Sequence, residues 1–267
     1  MQRTVETPRG SFFVEDAGDG EVLVLLHGFP LDHTMWSQQI ARFSTTHRVL
    51  AIDLRGFGKS APRNATVAMD DFADDVAGIL KKLELPKVVL CGLSMGGYIA
   101  FAFQERHRER LKALILCDTR AIADAPEVAK ARRVTADRVL KEGTAFVADT
   151  MLPKLFAEKT ALTSPEMVDA TRKVIESANP AGVAAAARGM AARKDYSDEI
   201  PKIHIPTLVI VGEQDAISSA DEMTAIAHRM PRAELHVIPN AGHMAPMENP
   251  AAVNAAIETF LASLKVT

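Results

Sequence analysis

The feature that most restricts the fold of this chain is a series of short apolar runs separated by longer amphipathic segments. Each run is too short for a helix and has no polar alternation, a pattern typical of strands buried on both faces of a sheet. A further predicted strand covers residues 11–16, and the glycine turn after it predicts a hairpin with the first apolar run. The runs cover residues 22–27, 49–52, 88–90, 114–117, 208–211 and 235–238.

The segments between the runs carry apolar residues at helical spacing. Clear examples are residues 72–83 and residues 253–264. Asn249 followed by a proline predicts the start of the second helix, and Ser219 with Glu222 predicts a capping box at another start. Strands that alternate with covering helices predict an α/β fold with a mostly parallel sheet. Ligands bind such sheets at the carboxyl ends of the strands, so chemistry is expected in the loops there.

One stretch breaks this alternation. Between residues 119 and 196 helix signals recur without a convincing strand. We therefore expect a core domain made of residues 1–118 and 197–267, interrupted by a helical cap subdomain of residues 119–196. Within the cap, prolines in the first turn predict helix starts at Pro126, Pro165 and Pro180.

Charge and composition argue against several classes of function. The chain has 31 Lys and Arg against 34 Asp and Glu, a net charge of −3, and no long basic run, so nucleic acid is not an expected partner. No apolar run approaches the ~20 residues of a membrane span. The first ten residues lack the pattern of a secretory signal, which predicts a cytoplasmic protein. Cys91 and Cys117 have neither redox nor metal-site spacing and are expected to be buried thiols.

The strongest chemical signal is the sequence Gly-Leu-Ser-Met-Gly at residues 92–96, between a predicted strand and a predicted helix. A serine on so sharp a turn has a strained backbone, and only small residues fit two positions to either side, which Gly92 and Gly96 satisfy. The turn exposes the hydroxyl of Ser94 as a nucleophile. It also places the N–H of Met95 at a helix start, where it can stabilise an oxyanion.

A second oxyanion donor is expected from the loop after the first apolar run, which reads His27-Gly28-Phe29-Pro30. Proline has no N–H, so the donor is Gly28 or Phe29, and we favour Phe29. His27 is expected to brace this loop rather than to act as a base.

A serine nucleophile needs a histidine base and an acid that orients it. His243 lies in a loop after the last apolar run, as the chain order serine, acid, histidine requires. Asp215, in the loop after residues 208–211, is the favoured acid. Asp118, directly after residues 114–117, competes with it, and Glu213 follows both.

Together these motifs resemble the α/β-hydrolase fold family, in an order and spacing that span nearly the whole chain. The resemblance implies an eight-stranded, mostly parallel sheet flanked by helices, with a helical cap after the sixth strand, and it assigns the acid position to Asp215. It also implies a structural role for Asp53 and Arg55. The motifs are residues 27–30 (HGFP), 53–60 (DLRGFGKS), 92–97 (GLSMGG), 212–215 (GEQD) and 242–243 (GH).

Several reactions share this scaffold. Ser94 argues against the haloalkane dehalogenases and epoxide hydrolases, which use an aspartate nucleophile, and residues 31–36 and 116–120 are most similar to 3-oxoadipate enol-lactonases and small esterases. The resemblance thus implies a serine hydrolase that cleaves small carboxylic esters or lactones through an acyl-enzyme, with no metal or cofactor. C–C bond hydrolases and cofactor-free perhydrolases stay open, as does a ligand receptor with an idle triad.

The substrate pocket is harder to predict, because spacing alone does not give the direction of a side chain in the cap. Arg120 either binds a substrate carboxylate or forms a salt bridge at the surface. Aromatic residues make up 5% of the chain, which favours small aliphatic or single-ring substrates. The sequence carries no signal for an oligomeric state. The predicted pocket residues are Trp36, Arg120, Leu152 and Phe156.

Overall fold

A computed structural model of the protein describes residues 1–63 and 65–264. Within those residues eight strands form one sheet, in the order β1-β2-β4-β3-β5-β6-β7-β8. The pairs from β4 through β3 to β8 are parallel, whereas β2 pairs antiparallel with both β1 and β4. The strands are β1 (Gln2–Thr7), β2 (Gly10–Ala17), β3 (Val22–Leu26), β4 (Arg48–Ile52), β5 (Val88–Leu93), β6 (Leu111–Cys117), β7 (Thr207–Gly212) and β8 (Ala233–Ile238).

Eleven α-helices accompany these strands in the described part of the chain. The predicted starts at Pro126, Pro165 and Pro180 are confirmed, as are the N-caps Ser219 and Asn249. The helices are α1 (Ser37–Phe43), α2 (Met69–Lys82), α3 (Met95–His107), α4 (Pro126–Glu142), α5 (Ala145–Leu155), α6 (Glu158–Thr163), α7 (Pro165–Ser177), α8 (Pro180–Met190), α9 (Ala220–Arg229), α10 (Ala245–Glu248) and α11 (Pro250–Ser263).

The central strands form the core, as the apolar runs predict. Every residue of β5 and of β7 is buried, while the edge strand β8 is mostly half-exposed. Helices flank the sheet: α2 packs on α3, α1 packs on α11, and α9 packs on β7 and β8. Burial on both faces explains why the inner strands lack polar alternation. Within the described residues, no helix is both long enough and apolar enough to cross a bilayer.

The predicted hairpin between residues 11–16 and the first apolar run is wrong. The strand β2 forms its hairpin with β1 instead, and β4 lies between β2 and β3. The loop after β2 packs tightly on the connection between α1 and β4: a Cβ on Gly18, whose φ is +78°, would lie 2.3 Å from the carbonyl oxygens of Ser44 and His47. This loop therefore carries the chain past β4 instead of turning it back onto β2.

The five helices α4 to α8 lie between β6 and β7, where the helical insertion is predicted. Two glycines of α8 bring this helix into backbone contact with the rest of the fold. A Cβ on Gly182 would lie 2.0 Å from the carbonyl oxygen of Gly56, and one on Gly189 would lie 1.9 Å from that of Val67. The N–H of Val67 also donates to the carbonyl of Ala185, at 3.3 Å. Contacts this close fix the insertion over the loops that follow β4.

Candidate active site

Ser94 is the single residue between the strand β5 and the helix α3, and its backbone has φ +54° and ψ −111°. A positive φ is uncommon in residues other than glycine, and it costs energy that the surrounding packing must supply. The packing leaves no room for side chains beside the serine: a Cβ on Gly92 would lie 2.2 Å from the carbonyl oxygen of Gly96, and one on Gly96 would lie 2.4 Å from that of Leu26. The two glycines therefore have the steric purpose that the sequence predicts.

Two backbone N–H groups lie close to this serine without a hydrogen-bond partner in the described part of the protein. They belong to Met95, the first residue of α3, and to Phe29, in the loop after β3. Gly28 brings this loop against the serine, since a Cβ at that position would lie 3.5 Å from Cβ of Ser94. An N–H that the fold does not use is free to donate to a ligand oxygen.

His27 braces the same loop, as the sequence predicts. Its Nδ1 lies 2.9 Å from the carbonyl oxygen of Gly28, and its Nε2 accepts the N–H of Leu54 at 3.0 Å. This pair of contacts requires a neutral imidazole with its proton on Nδ1. The side chain is fully buried, and burial lowers the pKa of His27 below its ordinary value.

His243 lies in the loop after β8, and its Nδ1 is 2.9 Å from Oδ2 of Asp215, in the loop after β7. Both side chains are buried. The other carboxylate oxygen of Asp215 accepts the N–H groups of Ile217 and Ser218, at 2.7 and 2.9 Å. The carboxylate is therefore held in one orientation, and it engages Nδ1 of the imidazole while leaving Nε2 for other chemistry.

The two competing acids lie elsewhere. Glu213 accepts the N–H of Asn240 through its side chain, at 3.1 Å, and holds the loop before His243. Asp118 is buried directly after β6, and its Oδ1 accepts the N–H of Gly212 at 2.8 Å. Nδ1 of His243 pairs with Asp215 and not with Asp118, whose side chain bonds the last residue of β7.

Ser94 and His243 open onto one cavity of about 340 Å³, together with Phe29 and Tyr98 of the core. Helices α4, α5 and α8 of the insertion supply most of its wall, which is largely apolar. Its polar members are two cations, Arg132 and Lys154, and two threonines, Thr135 and Thr150. The remaining wall includes Val128, Phe146, Met151 and Met190.

The cavity wall contains none of the four pocket residues predicted from the sequence. Trp36 is fully buried, in a short turn before α1. Arg120 forms an ion pair with Glu222, its Nε lying 2.8 Å from the carboxylate. Leu152 and Phe156 are buried in the hydrophobic core. For Leu152 the reason is that adjacent helix residues point about 100° apart, so its neighbour Met151 lines the cavity while Leu152 does not.

The residues of α5 that line the cavity are not among the predicted pocket residues. Val147, Met151 and Lys154 follow one another at intervals of four and three, the spacing of one helix face. This helical spacing can be read from the sequence. It identifies which residues share a face, but not which face is turned to the serine.

One group of potential metal ligands occurs among the described residues, formed by Asp32, His33 and Asp53. Hydrogen bonds within the fold already engage Asp53. Its Oδ1 accepts both the backbone N–H and Nδ1 of His33, at 2.8 and 2.7 Å, and its Oδ2 accepts the N–H of Lys59. Asp53 therefore has the structural role expected of the segment 53–60.

The arrangement of sheet, serine turn and helical insertion defines a class of protein. The model of the family described as the α/β hydrolase fold matches residues 21–250. The chain belongs to the α/β-hydrolase fold family.

Its relatives include esterases and enol-lactonases. An esterase from Thermogutta terrifontis, solved with malate bound, is 46% identical and superposes with a TM-score of 0.95 over 99% of both chains. The enol-lactonase from Burkholderia xenovorans has a TM-score of 0.91 at 28% identity, over 97% of this chain and 100% of the other. The 3-oxoadipate enol-lactonase 2 of Acinetobacter baylyi is 28% identical over 243 residues, 91% of this chain and 89% of that protein.

Proposed function

We propose that this protein is a serine hydrolase that cleaves carboxylic esters or lactones of small substrates. The observation that carries the proposal is the shared cavity of Ser94 and His243, in which Nδ1 of the imidazole is engaged by Asp215 at 2.9 Å. Nε2 of His243 is thereby the nitrogen that is available to take the serine proton. The names of the relatives, esterase and enol-lactonase, agree with this chemistry.

The reaction has two halves. In the first, Oγ of Ser94 attacks the substrate carbonyl while His243 takes its proton, and the N–H groups of Phe29 and Met95 hold the resulting oxyanion. The tetrahedral intermediate then expels the alkoxide, which receives the proton from His243. In a lactone this alcohol stays attached to the acyl chain. In the second half, water attacks the acyl-enzyme by the same steps and releases the acid, so one water is consumed per turnover.

In this proposal residues 119–196 are a cap that selects the substrate. Helices α4, α5 and α8 line the cavity, and the contacts of Gly182 and Gly189 with the core fix its width. A volume of about 340 Å³ lies at the lower end of the range of ligand pockets. The substrate we propose is therefore a small aliphatic or single-ring ester or lactone. A cytoplasmic location stays a prediction from the sequence.

The charge on the cavity wall refines this substrate class. Arg132 is paired with Asp124, its Nε lying 2.6 Å from the carboxylate, whereas the ammonium of Lys154 has no ion pair or hydrogen bond among the described residues. A free cation on an apolar wall favours a substrate that carries a carboxylate away from the reacting carbonyl. The malate bound to the Thermogutta terrifontis esterase, a dicarboxylate, agrees with this preference.

The experiment that tests the proposal is a hydrolysis panel of p-nitrophenyl acetate, butyrate and octanoate beside simple lactones and enol-lactones. Each substrate is run with the wild type and with Ser94→Ala. We expect turnover on short esters or lactones, and we expect kcat to fall about 10³-fold or more in the variant. Circular dichroism and thermal melting establish that the variant is folded. Activity that survives in folded Ser94→Ala refutes the proposal.

A further inference from the structure

Asp118 is a buried acid for which the proposed mechanism has no use. It follows β6 directly, and because β6 and β7 are parallel neighbours its side chain meets the loop that carries Asp215. Its backbone is anchored on both sides: the N–H donates to the carbonyl of Ile210 at 2.9 Å, and the carbonyl accepts Oγ of Ser218 at 3.2 Å. The residue has a φ of +46° and no exposed surface. The fold therefore holds this carboxyl group in a fixed place.

The two oxygens of Asp118 have different surroundings. Oδ1 accepts the N–H of Gly212, but Oδ2 is buried without any N–H or O–H donor among the described residues. Ser218 joins the two acids, because its Oγ donates to the carbonyl of Asp118 and its N–H donates to Oδ1 of Asp215. The two buried carboxyl groups therefore lie beside each other, and the interaction with Asp215 is among the causes that raise the pKa of Asp118. Two carboxylate oxygens repel each other, so a buried contact of this kind requires a proton between them.

The hydrogen bonds decide which acid carries that proton. Asp215 accepts two backbone N–H groups and Nδ1 of His243, whereas Asp118 accepts a single N–H. Three donors stabilise the negative charge on Asp215 far better than one donor stabilises a charge on Asp118. Burial, and then the charge of Asp215, raise the pKa of Asp118 well above its ordinary value.

Among the described residues, the titratable neighbours that raise the pKa of Asp118 include Cys117 besides Asp215. Cys117 precedes Asp118, and its Sγ lies 3.9 Å from that of Cys91. The contact with Cys91 and burial raise the pKa of the Cys117 thiol, so it stays neutral. A further titratable group, His243, contacts Oδ2 of Asp215.

We propose that Asp118 is a neutral carboxylic acid that donates a hydrogen bond to Asp215 and thereby positions the carboxylate that orients His243. The inference rests on the proposed function and extends the triad by one residue. The hydrogen bond fixes the rotation of the Asp215 carboxylate and partly offsets its negative charge. Without the donor, Asp215 would hold the imidazolium form of His243 more strongly and in a less defined geometry.

Two substitutions separate this role from a structural one. Asp118→Asn keeps an oxygen for the N–H of Gly212 and an N–H₂ donor for Asp215, and asparagine tolerates a positive φ. Asp118→Gly removes the donor without straining the backbone. Glu84→Gly is the matched control, because Glu84 also has a positive φ (+56°) and is exposed at the end of α2.

The readout is the pH dependence of kcat/KM for the best substrate of the panel. We expect the midpoint of the acidic limb to move by less than about 0.3 pH units in Asp118→Asn and to rise by about 0.5–1 in Asp118→Gly. We also expect kcat to fall about tenfold in Asp118→Gly only, the worth of one hydrogen bond to a charged group. If Asp118 were ionised, Asp118→Asn would remove a negative charge near His243, and the midpoint of the acidic limb would move to lower pH by about one unit. This result overturns the inference. An unmoved limb in folded Asp118→Gly overturns it as well.

A second readout does not depend on activity. The infrared spectrum of the wild type at pH 8 should contain the C=O band of one protonated carboxyl group, which is lost in Asp118→Asn. Absence of that band from the wild type contradicts a neutral Asp118. Failure of the proposed function can be distinguished from failure of this inference. If the proposed function is wrong, turnover does not depend on Ser94, but the infrared band of Asp118 is unaffected.

Discussion

Gly182 of the insertion lies directly on Gly56 of the core, so close that a Cβ on Gly182 would be 2.0 Å from the carbonyl oxygen of Gly56. The close approach joins the helix α8 to the loop after β4. Because α8 also carries Ala187 and Met190 of the cavity wall, this contact sets the position of the cavity relative to the serine.

We therefore predict that Gly182→Ala displaces α8. The clash should lower the free energy of unfolding by about 1–3 kcal/mol and reduce kcat/KM on the best ester. Gly78→Ala is the matched control, since Gly78 lies inside α2 with its nearest neighbours 3.9 Å from the new Cβ. Helix propensity should stabilise that variant by up to about 1 kcal/mol. Urea denaturation measures both, and equal effects of the two substitutions would mean that the contact does not fix the insertion.

The acid position is tested by Asp215→Asn beside Glu213→Gln. The amide presents a donor to Nδ1 of His243 and stabilises the wrong tautomer, so we expect kcat to fall about 10³-fold or more. Glu213 binds only the N–H of Asn240, and its variant should keep kcat within about threefold. Steady-state kinetics near pH 8 makes the comparison. Comparable losses in the two variants would remove Asp215 from its proposed role.

The cation of the cavity wall predicts a preference between substrates. In Lys154→Gln the ratio of kcat/KM for a carboxylate-bearing ester to that for its neutral methyl-capped analogue should fall about threefold, the scale of a solvent-exposed ion pair. Added salt should lower the same ratio in the wild type. Arg120→Gln is the control: its partner is Glu222, and the ratio should not move. A shift in the Arg120 variant alone would return carboxylate binding to the residue suggested by the sequence.

The buried His27 predicts how stability depends on pH. Burial lowers the pKa of His27 in the folded state, whereas the unfolded state has the ordinary value of about 6.5. Below that pH the unfolded chain takes up a proton that the folded protein refuses, so stability is lost as the pH falls.

His27→Gln keeps one acceptor and one donor and removes this titration. Between pH 8 and pH 5.5 the free energy of unfolding should fall by about 1 kcal/mol more in the wild type than in His27→Gln. All other titrating groups are shared by the two proteins and cancel in the difference. Chemical denaturation at both pH values measures it, and parallel losses would show that His27 does not titrate below 6.5.

The parts of the fold that could be predicted from sequence are those with a strong local signal. The inner strands are continuous apolar runs, and the serine turn is set by glycines within two residues of Ser94. The strand β1 (Gln2–Thr7) was missed because it is a mostly exposed edge with few apolar residues. The partner of β2 was also missed, since sheet order depends on how the loop at Gly18 packs and not on the pattern of either strand.

In the candidate site, too, some residues are predicted by local motifs and others depend on tertiary packing. Motifs predict Ser94, His243 and Asp215 as a set, because each follows a strand and the strands share one sheet edge. The place of Asp118 against the loop that carries Asp215 follows only from the pairing of β6 with β7. Of the predicted pocket residues, Leu152 does not line the cavity although its neighbour Met151 does, because the packing of α5 determines which of its faces meets the cavity.

The central claim is that Ser94 is an activated nucleophile, and covalent labelling tests it without knowledge of the substrate. The wild type and Ser94→Ala are each incubated with a fluorophosphonate and their intact masses are measured. We predict a single adduct on the wild type, absent from Ser94→Ala and slowed in Asp215→Asn. A wild type that stays unlabelled, or an adduct that persists in Ser94→Ala, would contradict the account and favour a ligand receptor with an idle serine.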